Sequence, residues 1–454
     1  MSDSKAASKP NQRLLLWLAE FFPLADPVAS DWRQFLLIGL SILIGVAVCL
    51  LRTGGAGALD SIWIEDAGVF LDQALRGPWY QSILGSLNGY WHIGPRVLTE
   101  IASLFPLPWI PGVMSVFAAF ALTAFAVVAY TASRGYFPSQ WYRLLVAAPA
   151  ILVPLGQTQS NNDLAGLHLP ALCAMFWILL WRPTTRLGSV VAPILAAFIT
   201  FSSVLCVVFV PLLVIRLLVV RTRTTVAVAV AYFSGLQFQL TGILLGAHNP
   251  TTVRHHRYEP LWVLGEYART AVPRSLLGER WVSPFVDPQP LLIELAWLIV
   301  GIILVVAFRK VTAPAWRLAV LATFHSVIAL GVAIAPMGCV EPRYVIAPSL
   351  LIYAAIWALL RPGRPPREVQ ARGLGTLGGP SERRRRSHVP AIAFAVGLSI
   401  VFAVNYRMEN GRSSSPSWRS ILREATTVCQ RPKAREYTFV HSWWTLRIPC
   451  ARVR

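Results

Sequence analysis

Charge is scarce in this chain of 454 residues, at 14%, where a soluble domain carries roughly 25%. Hydrophobic residues make up 55%, and apolar runs long enough to cross a bilayer recur throughout. That combination excludes an ordinary soluble domain and predicts an all-α polytopic membrane protein. Acidic residues are scarcer than basic ones, 21 against 41, and the net charge is +20. Arginine greatly outnumbers lysine. Much of the basic excess sits in short loops between apolar runs, where it sets orientation in a membrane. Nucleic acid is therefore not an expected partner. No internal repeat and no nucleotide-binding glycine motif is present. The start is polar, and the first apolar run lacks a small-residue cleavage site, so it is expected to stay as a signal anchor.

Taken in order, residues 1–34 read as a cytoplasmic leader in which Leu14 to Leu24 lies at the interface. The transmembrane domain is expected over 35–406. Its first span, 35–51, is followed by a first outer loop, 52–110. Spans at 111–131, 143–156 and 164–181 come next, with a polar turn, Gln157 to Asp163, before the last of these. Residues 188–220 are too long for one span and predict a hairpin turning at Ser202-Ser203. A single span there would put the basic run Arg383 to Arg386 outside, against the charge pattern. Span 224–246 leads to a second outer loop, 247–290, with short helices near 261–271 and 274–280. Spans at 291–308, 316–335 and 345–360 precede a basic cytoplasmic loop, 361–389, beside anionic lipid. A last span, 390–406, leaves an extracytoplasmic tail, 407–454. The total is about eleven helices, N-terminus in and C-terminus out.

Cysteines are few, at six. Cys49, Cys173 and Cys206 lie in apolar runs and read as packing residues. Cys429 and Cys450 lie in the tail. Outside the cell they would form a disulfide; in a cytoplasmic tail they would be free thiols.

The first outer loop holds the chemistry. Glu65 and Asp66 are adjacent carboxylates between apolar residues, at the expected membrane surface, where charge is costly and rarely idle. The plain alternative is a solvated acidic loop. On an extended backbone only one of the two need face a cavity. Arg96 follows Gly94-Pro95, and Arg343-Tyr344 follows Glu341-Pro342 at the mouth of a span. Arginine at the lipid–water boundary grips phosphate oxygens bidentately, or simply snorkels to head groups. A carboxylate beside a held phosphate-sugar is suited to general base catalysis on an acceptor hydroxyl.

The run Glu65-Asp66-Ala67-Gly68-Val69-Phe70, with Gly89-Tyr90-Trp91-His92-Ile93-Gly94-Pro95-Arg96, resembles the first outer loop of bacterial GT-C type membrane glycosyltransferases. The resemblance implies a GT-C-like bundle with two large outer loops over a cavity at the outer face, and a polyprenyl-phosphate-linked sugar as donor. It implies Asp66 or Glu65 as the base, Arg96, Arg343 and Tyr344 as donor-phosphate contacts, and an envelope glycan, lipid or protein as acceptor. Many relatives have Asp-Asp or a lone Asp where this chain has Glu-Asp, which leaves the base assignment open. Tyr90, His92, His256 and Glu259 are the candidate substrate contacts. Metal ligation needs three or four converging groups. His248, His255 and His256 in a basic loop read more simply as solvated, so no metal site is assigned, although some relatives use a divalent cation. Asn161, Asn162 and Asp163 are explained by turn propensity, though Asp163 could reach the cavity rim. Two rival readings are a lipid-linked substrate transporter, which would need ionisable residues deep in spans, and a non-catalytic envelope scaffold.

Overall fold

The computed structural model describes residues 10–25, 32–87, 89–155, 162–245, 256–283, 286–361, 388–441 and 444–453. Its frame is helical, because apolar segments in a bilayer must pair every backbone N–H and C=O internally. Among the described residues, five helical segments are long and apolar enough to cross a membrane: Leu107–Gly135, Arg223–Leu244, Pro290–Arg309, Trp316–Ile334 and Pro342–Leu360. Phe35–Leu51, Ala165–Leu180, Arg186–Ser202, Val204–Val219 and Val389–Val404 are shorter apolar helices. The expected span at 143–156 instead forms Gln140–Ala147 and Pro149–Leu152. Together these rise only about 20 Å, short of a bilayer core of about 30 Å. The run at 188–220 breaks at Ser203, which is extended at φ −154° and ψ 120°.

The helices sort by covering. Pro342–Leu360 is 94% buried and Pro290–Arg309 only 17%. His168–Leu180 is buried at every position. Helices covered on all sides form the bundle axis, and those with bare leucines form its rim. In lipid, close packing rather than apolar burial joins helices, so small residues mark the contacts. A Cβ at Gly235 would lie 2.2 Å from Thr200 Oγ1, so glycine alone lets Arg223–Leu244 approach Arg186–Ser202 this closely. Arg216 is buried in Val210–Val219 and donates to the Ile178 and Leu179 carbonyls. It caps the C-terminal end of His168–Leu180, whose last carbonyls have no partner within the helix.

The loop 52–110 is docked onto this frame. Strand β1 (Ser86–Leu87) pairs antiparallel with β2 (Tyr90–Trp91). Gln239 holds β2: its Oε1 accepts from Trp91 N at 3.0 Å and its Nε2 donates to Trp91 O at 2.8 Å. Helix Ile93–Ser103 follows, fixed by Gly94 N donating to Ser202 Oγ at 3.0 Å. The tail forms a helix, Trp418–Cys429, and an antiparallel hairpin of β3 (Glu436–His441) and β4 (Trp444–Pro449). A Cys429–Cys450 disulfide closes it. Trp418, Ile421, Leu446 and Ile448 are its buried core, and the hairpin lies against the first loop. Residues 362–387, with Arg383 to Arg386, lie outside the described residues, as do Gln157 to Asn161, His248 and His255.

Candidate functional site

Ile64 has φ +38°, a strained conformation for a β-branched residue. It turns the chain directly before the acidic pair. Glu65 is helical, and Asp66 opens a π-helical turn to Leu71, continued by Asp72–Arg76. The pair therefore starts a helix rather than lying on extended backbone. Asp66, Ala67, Phe70, Leu71 and Asp72 are buried within the protein. Widened turns of this kind recur at functional sites.

Asp66 points inward. Its carboxylate accepts from Leu164 N at 2.8 Å and from Ala165 N at 2.9 Å. The same Ala165 N–H also reaches Asp163 Oδ1 at 2.9 Å. Two buried carboxylates around one donor cannot both ionise cheaply. Burial, and then the Asp66 charge, pushes the Asp163 carboxyl well above the usual range. Burial also raises Asp66, opposed by hydrogen bonds from Asp163, Leu164 and Ala165. Both shifts favour a proton kept by the pair, with Asp163 the more strongly raised carboxyl. Arg412 of the tail lies in their field. It is buried and donates to Asn162 O at 2.6 Å, Ser61 O at 2.8 Å and Ser115 Oγ at 2.7 Å. One arginine thus ties the tail, the first loop and the 162 turn together behind the carboxylates.

Glu65 points the other way. Its Oε1 accepts from Arg343 NH1 at 2.9 Å, and Arg343 also pairs with Glu341 at 2.6 Å. Glu65 Oε2 has no hydrogen-bond partner among the described residues. Tyr90 and His92 rings lie 4.4 Å apart, and His92 and His168 rings 5.2 Å apart. Burial raises the Tyr90 hydroxyl, whose neighbours include Tyr344, Arg343 and Glu65. Burial first, then His168, Arg96 and Arg343, lower His92 well below its ordinary value, so its ring is neutral.

A cleft of about 700 Å³ opens beside Glu65, between Gly68 and Val69 of the π-turn and Thr438, Trp444 and Arg447 of the tail hairpin. Asp72 fastens that wall. It accepts from Arg447 N at 2.9 Å, Nε at 3.2 Å and NH2 at 2.9 Å, and from Arg76 at 3.0 Å. A Cβ at Gly68 would meet Trp444 Cβ at 3.1 Å.

Arg96 departs from its expected place at the lipid boundary. It is fully buried inside the first loop and donates to Gln73 Oε1 and Ser82 O, each at 2.6 Å. Its guanidinium sits over Phe70 at 4.6 Å, and burial lowers its pKa to about 10. That is a loop-bracing position. His256 and Glu259 stand apart too. His256 is exposed and contacts Pro336 O at 2.9 Å through Nδ1. Glu259 is exposed and precedes helix Pro260–Glu266, which runs on through Tyr267–Ala271 to Leu277 in place of two separate helices. Among the described residues no three His, Cys, Asp or Glu groups converge as a metal site.

Local pattern does not single out Asp72, His168 or Arg412 as site residues; it gives Asp163 only as a turn residue in reach of the cavity rim and Glu341 only as the neighbour of Arg343. The available signal was scarcity. With 21 acids in 454 residues, each acid between the apolar segments of a membrane protein calls for a partner.

No family model matches this chain, and no curated protein matches it. Among solved structures it is similar to the archaeal oligosaccharyltransferase AglB from Archaeoglobus fulgidus, solved in complex with an inhibitory peptide and a dolichol-phosphate. The identity is 12% and the TM-score 0.41, over 89% of this chain. The chain spans 59% of the length of that protein.

Proposed function

We propose that this protein is a membrane glycosyltransferase of GT-C type. It takes a sugar from a polyprenyl-phosphate donor and passes it to an envelope glycan, lipid or protein at the extracytoplasmic face of a bacterial plasma membrane. The observation that carries the reading is Glu65. It lines a cleft, its Oε1 is fixed by Arg343, and its Oε2 is buried with no hydrogen-bond partner among the described residues, so an entering acceptor hydroxyl would be its first partner. A positioned carboxylate with a spare oxygen is suited to take the proton of an acceptor hydroxyl as that oxygen attacks the anomeric carbon. Glu65 is then the base. Asp66, with both oxygens committed to backbone N–H groups, is a positioning residue. Arg343 and Tyr344 stand beside the departing phosphate, where positive charge stabilises the leaving group. The reading assigns no cofactor and leaves a divalent cation open. A transporter would use ionisable groups along a path through the spans. The buried Arg216 is committed to capping a helix end, which favours the transferase.

The test is a panel of radiolabelled polyprenyl-phosphate sugars with purified protein in nanodiscs, scoring donor binding and transfer. Glu65→Gln should keep donor binding and lower transfer by about 10²-fold or more. Wild-type transfer in Glu65→Gln, or no donor bound by the wild type, would refute the reading.

A further inference from the structure

Glu65 stands between two sides of the molecule. Its Oε1 is bonded to Arg343 at the mouth of the span Pro342–Leu360. Its cleft runs the other way, to Thr438, Trp444 and Thr445 of the tail hairpin. The cleft lining comes from the 64–69 segment and from that hairpin, with no residue of a spanning segment. An occupant therefore arrives from the water rather than along the lipid. The hairpin wall offers hydrogen bonds. Thr438 and Thr445 are exposed. They share one face, because Thr438 is opposite Arg447 and Thr445 opposite Val440, and each hydroxyl both donates and accepts. Trp444 is only 6% exposed, and its Nε1 has no hydrogen-bond partner among the described residues. A buried donor left unmatched is costly, and an incoming oxygen relieves it.

Charge and backbone narrow the occupant further. Asp72 and Glu436 meet Arg447 and Arg76, and Glu65 and Glu341 meet Arg343. Four carboxylates against three guanidiniums offer no seat to an anion. A peptide bound by strand addition needs an unpaired edge. The β4 edge beside the cleft is closed. Its Arg447 N–H is bonded to Asp72 at 2.9 Å, and Thr445 O and N lie 3.2 and 3.4 Å from where a Cβ on Gly68 would stand. The outer edge of β3 lies on the far side of the hairpin from that turn.

We propose that the acceptor is an uncharged glycan, held by Thr438, Thr445 and the Trp444 indole N–H so that one of its hydroxyls meets Glu65 Oε2. The fate of that hydroxyl rests on the transferase reading; the glycan seat does not. In that reading the hydroxyl proton passes to Glu65 as its oxygen bonds the anomeric carbon of the donor. The electron pair of the broken carbon–oxygen bond leaves with the phosphate. Donor phosphate and acceptor glycan then approach Glu65 from opposite sides, the first by Arg343 and the second along the tail hairpin.

The experiment uses full-length protein in phosphatidylcholine nanodiscs without donor, and titrates probes by saturation-transfer difference NMR. The probes are gluco-, galacto-, manno- and xylo-pentaoses, a galacturonate pentamer and an octapeptide of alanine, serine and threonine. At least one neutral pentaose should bind saturably, and the galacturonate and the peptide at least tenfold more weakly. The double change Thr438→Val and Thr445→Val should weaken pentaose binding by about five- to a hundredfold. Trp444→Phe should weaken it by about two- to tenfold. Both threonines are exposed, so the double variant reads the wall without disturbing the core. No pentaose bound by the wild type, or wild-type affinity in the threonine variant, would overturn the proposal. Galacturonate or peptide bound as tightly as the best pentaose would overturn the uncharged-glycan assignment. Sugar transfer to that pentaose with unchanged acceptor KM in the threonine variant would sink the glycan seat and leave the transferase. Threonine-dependent binding in a protein that transfers no sugar would do the reverse.

Discussion

Asp72 holds the tail against the first loop, and its removal has a calculable effect. The carboxylate is 3% exposed and accepts three bonds from Arg447. One of these comes from the Arg447 backbone N–H, within β4, between the buried Leu446 and Ile448. A hydrogen bond to a charged acceptor is worth about 1.5–3 kcal/mol net. The Arg447 side chain is 41% exposed, so its ion pair adds no more than about 1 kcal/mol. Asp72→Ala should therefore lower the free energy holding the hairpin in place by about 2–4 kcal/mol. That is a rise of roughly 30- to 900-fold in its open population. Hydrogen exchange with mass spectrometry in nanodiscs reads this directly. Amides of 444–449 should exchange faster by that factor, while those of the axial helix Ile346–Leu360 keep their protection. Transfer should fall as the cleft loses its wall. Unchanged exchange over 444–449 would refute the reasoning, because the hairpin would then be held by something other than Asp72.

Two further outcomes follow from the buried groups. The raised Asp163 carboxyl keeps a proton in the folded protein that the unfolded chain loses above about pH 4. Stability must then fall as pH rises from there toward the folded pKa. Asp163→Asn keeps a donor toward Asp66 without a titrating group. Its thermal midpoint should exceed wild type at pH 8 and converge with it near about pH 4; a variant less stable at pH 8 would contradict this. The Cys429–Cys450 bond closes a sequence separation of 21, worth about 3 kcal/mol of tail stability. The double change Cys429→Ser and Cys450→Ser should expose the tail to proteolysis and spare the bundle, and equal proteolysis of both forms would count against that.

Local sequence carries a good deal of this molecule. Runs of alanine, leucine and valine must be helical wherever water is absent, so helix positions follow from composition alone. The break at Ser202-Ser203 is legible because length limits a span. Glu65-Asp66 stands out because acids are rare here and flanked by apolar residues. Sequence does not show where those side chains point. A strained Ile64 and a π-turn send Asp66 inward and Glu65 to the cleft, and neither conformation has a signature in residue type. Nor does spacing reveal that Asp163, almost a hundred positions away, shares a backbone donor with Asp66, or that Arg412 of the tail lies behind both. Arg96 and Arg343 look equivalent in sequence, each a single arginine after a proline. Tertiary structure buries one against Gln73 and Ser82 and sets the other between two carboxylates. The physical reason is range. Backbone pairing and apolar burial are decided by a residue's near neighbours. A carboxylate's protonation and an arginine's partner depend on groups that only folding brings within a few ångströms.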